Sequence, residues 1–83
     1  MKLVYFAWVR ERVGKAEEVV DLPPGLATVS DLLAWLRGRG EEYAYAFEGD
    51  GVVRVAVDRV HAKPDASLLG ASEIAFFPPM TGG

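Results

Sequence analysis

Residues 2–8 are rich in Val, Tyr, Phe and Trp and open the chain directly, as a first strand would. A period of two puts Leu3, Tyr5 and Ala7 toward a core and leaves Val4 and Phe6 outward with Lys2. Residues 10–14 fit one helical turn closed by Gly14. Residues 16–22 then read as a second strand, which Pro23, Pro24 and Gly25 must end.

Thr28 followed three residues later by Asp31 resembles a capping box directly before a periodic apolar run. Val29, Leu32, Leu33 and Leu36 recur at i, i+3, i+4 and i+7, one stripe of a helix, while Ser30, Arg37 and Arg39 face away and Gly38 and Gly40 close it. Residues 41–47 fit either a further helical turn or, through the alternation of Tyr43, Tyr45 and Phe47, a strand. Glu48-Gly49-Asp50-Gly51 signals a turn. Residues 52–58 alternate cleanly, with Val53, Val55 and Val57 on one face and Arg54 and Asp58 on the other. Asp58-Arg59 turns into a short strand at 60–62, Pro64 stops it, and a loop around Leu68 and Leu69 leads to a last strand at 73–77.

The resulting order is β-β-α-β-β-β, an α+β fold in which one main helix lies on one face of a single mixed sheet. Residues 1–77 form the domain and residues 78–83 a flexible C-terminal tail. The chain has 83 residues, 51% of them hydrophobic and 25% charged, which suits one globular domain and leaves no room for a second. So short a chain usually needs a metal, disulfides, a partner or good packing. It has no Cys and one His, His61, which excludes disulfides, thiol nucleophiles and the usual structural zinc sites.

The net charge of -3 and the absence of a basic run argue against nucleic acid as a partner. The longest apolar run, residues 3–9, falls far short of the roughly 20 residues that span a bilayer, so no membrane association is expected and the location is read as cytoplasmic. Asn and Gln are missing and six of the nine basic residues are Arg, which fits a heat-adapted source and equally a GC-rich codon bias.

The inventory does not suit an enzyme acting alone. No triad or dyad spacing emerges from one His, no Cys and three Ser in cap or loop contexts. His61 reads as a surface or rim histidine, and the pairs Glu17-Glu18 and Glu41-Glu42 as solvated faces. Neither a cofactor-binding residue nor a metal ligand is assigned.

The chain end is specific: Phe76-Phe77-Pro78-Pro79-Met80-Thr81-Gly82-Gly83. Two prolines make an extended, low-entropy spacer, and two glycines then offer backbone without side chains, suited to threading a narrow tunnel through Met80, Thr81 and Gly82. A carboxylate on Gly83 with no Cβ beside it can be approached by another protein's active site, become a mixed anhydride with adenylate and accept a nucleophile at its carbonyl carbon. A Gly-Gly end arises by chance in about one chain in two hundred. Its conjunction with the Pro78-Pro79 spacer and a compact body is what makes it informative.

This terminal motif, together with Phe6-Ala7-Trp8-Val9-Arg10-Glu11, resembles the molybdopterin synthase small-subunit family, ubiquitin-like sulfur carriers of the β-grasp fold, and the resemblance runs the length of the chain. Members commonly have Gly-Asp-Glu before the last strand and Asn near the end of the third, where this chain has Ala71-Ser72-Glu73 and Asp58; both departures touch turns. The resemblance implies a cycle whose catalysts lie on other chains. An adenylyltransferase similar to ubiquitin-activating enzymes uses ATP and magnesium to adenylate Gly83. A persulfide donor converts the adenylate to a thiocarboxylate. The tail then enters the large synthase subunit and delivers sulfur to cyclic pyranopterin monophosphate. Two carriers flanking a large-subunit dimer would give a heterotetramer. Carriers for thiamine or tRNA thiolation, and a ubiquitin-like binding module whose tail is never activated, are the alternatives.

The residues themselves add a docking surface. The parity that buries Ile74 and Phe76 turns Ala75 and Phe77 outward, beside the outward Val4 and Phe6 if the first and last strands are neighbours. Phe6, Phe77, Pro78 and Pro79 are thus expected to meet the partner, with Arg10 as a rim charge.

Overall fold

The computed structural model describes residues 1–48 and 53–79. Its elements are β1 (Lys2–Tyr5), α1 (Ala7–Val13), β2 (Glu17–Val19), α2 (Val29–Arg37), α3 (Glu41–Ala46), β3 (Arg54–Val57), β4 (Val60–Ala62) and β5 (Glu73–Phe77). The strands form one sheet in the order β2-β1-β5-β3-β4. The first and last strands of the chain are central neighbours and run parallel, with Leu3 opposite Ile74 and Tyr5 opposite Phe76, while every other pairing is antiparallel. This is the β-grasp arrangement: a mixed sheet whose one face is covered by the helical segment between its two hairpins.

Alternation along the strands sends Leu3, Tyr5, Val55, Ile74 and Phe76 to the covered face. There they meet Val9 and Val13 of α1, Val29, Leu32 and Leu36 of α2, and Tyr43 and Ala46 of α3 in one core. At its centre the rings of Tyr5 and Phe76 stack at 5.5 Å and Phe47 meets Phe76 edge-on at 5.2 Å, so burial is reinforced by ring geometry.

The main helix forms as its sequence predicts. Asp31 N–H donates to Thr28 Oγ1 at 3.2 Å, and the Thr28 and Ala27 N–H groups both donate to Asp31 Oδ2 at 3.0 Å, so the cap is closed from both sides. Its apolar stripe is buried, except that Leu33 is only partly covered. The strands 60–62 and 73–77 appear with the expected bounds. Asp58 and Arg59 both adopt the left-handed region, φ 47° and 69°, giving a two-residue turn between the opposed Val57 and Val60.

The expected bounds of the first three strands are corrected, the third running Arg54–Val57 rather than 52–58. The first strand does not run to residue 8, and Ala7 is not in the core: the chain takes up the left-handed region at Ala7, φ 52°, and starts a helix. The Phe6 carbonyl accepts from the Val9 and Arg10 N–H groups, at 3.1 and 3.3 Å, so Phe6 ends the strand as the cap of α1. Val9 and Val13, four residues apart and both buried, carried a helical signal that the preceding strand-like run obscured. Gly14 does close that helix, at φ 90° with its N–H bonded to Arg10 O at 2.8 Å.

The second strand keeps only Glu17–Val19 of the expected 16–22. Residues 41–47 resolve as helix rather than strand: Tyr43, Ala46 and Phe47 are buried and Tyr45 is exposed, a helical spacing. Helices α1 and α3 therefore add to the single main helix expected. They are joined by Arg12, whose guanidinium lies 4.5 Å from the Trp8 ring and 4.2 Å from that of Tyr45. Of the expected turn at 48–51, only Glu48 is among the described residues.

Candidate functional site

The other face of the sheet carries no helix among the described residues. Outward positions alternate with the buried ones, and the register sets Val4 beside Ala75, Ala75 beside Ala56, and Ala56 beside His61 across four strands. Two alanines at the middle of a sheet leave a hollow. It is a shallow depression of about 490 Å³, with Ala56 and Ala75 as floor and Val4, Phe6 and Phe77 among its walls. Arg59 and Glu73 close one end, their side chains 3.7 Å apart.

The expected parity of the last strand holds. Phe76 is fully buried, whereas Phe77 lies on the open face, partly covered and in register with Arg54 of β3. Phe6, at the end of β1, is 49% exposed, so the two phenylalanines wall the same hollow. Its rim is continuous with the chain exit, because Phe77 is followed directly by Pro78 and Pro79, both partly buried. Arg10 is exposed on α1 one turn beyond Phe6, but it does not line the hollow. Met80, Thr81, Gly82 and Gly83 lie outside the described residues.

Reading the residues alone missed three members of this face. Ala56 and Arg54 alternate with the inward Val55 and were therefore assignable to an outer face, but nothing local says that their strand lies beside β5. His61 is exposed, and its ring sits 6.2 Å from that of Phe77. Ala75 was expected to point outward, though not to be a floor.

The covered face holds a polar cluster that was also missed. Glu17 is solvated and ion-paired with Lys2 at 3.1 Å, as expected of a surface pair, but Glu18 is not. Because adjacent strand residues point to opposite faces, Glu18 turns toward the helices, where only 12% of its side chain is exposed. Its Oε2 accepts from Tyr5 Oη and Tyr43 Oη, each at 2.7 Å, and from an Arg39 guanidinium nitrogen at 3.0 Å. Lys15 Nζ stands 3.7 Å from Oε1.

Burial works to raise the Glu18 pKa. The hydrogen bonds from Tyr43, Tyr5 and Arg39 outweigh it, and the carboxyl ends below its ordinary value. Tyr5 and Tyr43 move the other way, pushed up by burial first and then by the Glu18 carboxylate. No catalytic geometry accompanies this cluster. It joins β1, β2 and α3 and acts as a clamp.

Among the described residues no group of three or more His, Asp or Glu side chains is placed to hold a metal ion, and no helix is long and apolar enough to cross a membrane. The open face presents an apolar recess with a charged rim beside the Pro78-Pro79 segment.

Comparison with known proteins agrees over the whole chain. A model of the ThiS family matches residues 3–83. The molybdopterin synthase sulfur carrier subunit of Escherichia coli is 38% identical over an 85-residue alignment that covers 100% of this chain and 99% of the relative. The subunit of the same name from Haemophilus influenzae is 31% identical over 83 residues, at 100% and 99% coverage. Among solved structures, SAMP1 from Haloferax volcanii superimposes with a TM-score of 0.76 at 30% identity, covering 100% of this chain and 98% of that one. A putative molybdopterin converting factor, subunit 1, from Pyrococcus furiosus gives a TM-score of 0.73 at 32% identity, covering 95% of each chain.

Proposed function

The chain belongs to the ThiS family, and from that premise we propose that it is the sulfur carrier subunit of a molybdopterin synthase. The observation that supports this reading best is the position of β5: the strand that walls the apolar hollow with Phe77 is followed directly by Pro78-Pro79, the segment that leads in sequence to the Gly82-Gly83 end. A partner that takes the tail from its root at Pro78 meets the hollow there.

In this reading the body recognises and the tail reacts. The Gly83 carboxylate attacks the α-phosphate of ATP on an activating enzyme that holds the magnesium, and pyrophosphate leaves. The terminal sulfur of a persulfide donor then displaces AMP from the acyl adenylate to give an acyl disulfide, and a thiol cleaves that S–S bond, releasing the thiocarboxylate and leaving a disulfide on the donor side. The large synthase subunit binds the carrier through Phe6, Phe77 and the Pro78-Pro79 segment, with Arg10 at the rim. The tail passes through Met80, Thr81 and Gly82 into that subunit's active site, where the thiocarboxylate sulfur is transferred to cyclic pyranopterin monophosphate. The carrier supplies no acid, base or metal to any step, and two carriers serve one large-subunit dimer.

Intact mass measurement of the protein isolated from its own cells tests the carrier role. A population in which one oxygen at Gly83 is replaced by sulfur is expected. A chain that remains unmodified after incubation with ATP, magnesium, the cognate activating enzyme and the sulfur donor would be a binding module instead.

A further inference from the structure

Among the described residues the open face carries one imidazole, that of His61. It projects from β4 on the same side as Ala56 and Ala75, its ring 6.2 Å from Phe77 and tilted 53° to it. A partner covering Phe77 and its hollow therefore also covers the imidazole, or comes within a side chain of it.

Among the described residues no carboxylate lines the cleft that His61 enters. Arg54 of β3 and Lys63, beyond the end of β4, share with His61 the lining of a small cleft beside Pro64, with Val29 and Leu33 of α2 on its apolar side. From the turn, Arg59 adds another positive charge and is paired with Glu73 of β5 at 3.7 Å. On the same turn Asp58 is engaged with the backbone, accepting from the Ser72 and Glu73 N–H groups at 2.9 and 2.8 Å. In the free carrier the exposed ring is solvated whether charged or not. Covering it by an apolar surface removes that water while Arg54 and Lys63 stay close, and both effects oppose the protonated form.

Resting on the carrier reading above, we propose that His61 makes docking to the synthase large subunit proton-dependent: the complex forms with the neutral imidazole and weakens as His61 takes up a proton. An imidazole that must shed its proton to be buried costs about tenfold in affinity for each pH unit below its titration midpoint.

The test is the dissociation constant of the full chain for the large synthase subunit at about pH 8 and about pH 5.5, spanning the ordinary imidazole range. It is measured for wild type, H61Q and H61K, with circular dichroism confirming that each is folded at both values. Wild type should bind about tenfold more weakly at the acid value. H61Q should lose most of that ratio, and H61K should bind weakly at both. Dividing the wild-type ratio by the H61Q ratio cancels titration on the partner. Equal ratios in wild type and H61Q, or H61K binding as tightly as wild type at the alkaline value, would overturn the inference and leave the carrier reading standing. Absence of wild-type binding at both values would instead remove the carrier reading, and the inference with it.

Discussion

The hydroxyls of Tyr5 and Tyr43, one from the central strand β1 and one from α3, converge on a single oxygen of Glu18, each at 2.7 Å. Arg39 reaches the same oxygen at 3.0 Å while its guanidinium stacks 4.6 Å over the Tyr43 ring, so the four side chains form one unit. Glu18→Ala leaves the Tyr5 hydroxyl inside the core without an acceptor and should cost about 1–3 kcal/mol in stability, with Glu18→Gln milder because the amide oxygen still accepts. Since the folded carboxyl lies below its ordinary value of 4.5, its stabilising contribution is complete above that value and falls away as pH drops through the folded one. Urea unfolding between neutral and acid pH should show a shallower acid loss in Glu18→Ala than in wild type. Identical slopes would mean that the clamp carries no net stability.

Phe76 and Phe77 are adjacent and should behave oppositely. Phe76→Ala removes a fully buried ring that touches Tyr5 and Phe47 and should cost about 3–5 kcal/mol of folding stability. Phe77→Ala should cost much less in folding but weaken binding to the large subunit by about 2 kcal/mol or more. Thermal unfolding and binding measured on the same samples decide this, and a Phe77→Ala chain that binds normally would remove the open face from the interface.

The β3–β4 turn depends on Asp58, which combines a left-handed backbone with two N–H bonds accepted from the start of β5. Asp58→Asn keeps the acceptor oxygen and a residue that tolerates this conformation, so it should be close to neutral. Asp58→Ala should lose about 1–3 kcal/mol. Arg59→Gly should gain about 0.5–1 kcal/mol, because the strained φ of 69° is relieved and the ion pair lost is largely exposed. Chemical denaturation midpoints of the three variants check the ranking.

Deleting Gly83, or adding one residue after it, should abolish sulfur transfer while the unfolding midpoint stays at its wild-type value, since no residue of the described core lies beyond Phe76. Gly82→Val should act in the same way by blocking the tunnel. A truncated chain that still accepts sulfur would sink the carrier reading.

Where local physics suffices, the amino-acid sequence determined the result. The Thr28-Asp31 cap, the Val29, Leu32 and Leu36 stripe, the hairpin at Asp58-Arg59 and the parity that buries Phe76 and turns Phe77 to the open face all follow from contacts between near neighbours or from a fixed period of two or 3.6. The terminal motif was legible for the same reason: its chemistry belongs to a short stretch of backbone.

Tertiary structure alone decided which strands are neighbours, and with them the hollow over Ala56 and Ala75, since register between β1, β5 and β3 joins residues far apart in the chain. The Ala7–Val13 helix depended on it too, because a strand-like run of Val, Phe and Trp becomes helix only when Val9 and Val13 find the core. Glu18 was misread as solvated because its partners Tyr5, Arg39 and Tyr43 come from three other segments. A carboxylate's environment is set by what folds against it, which no spacing within the chain records.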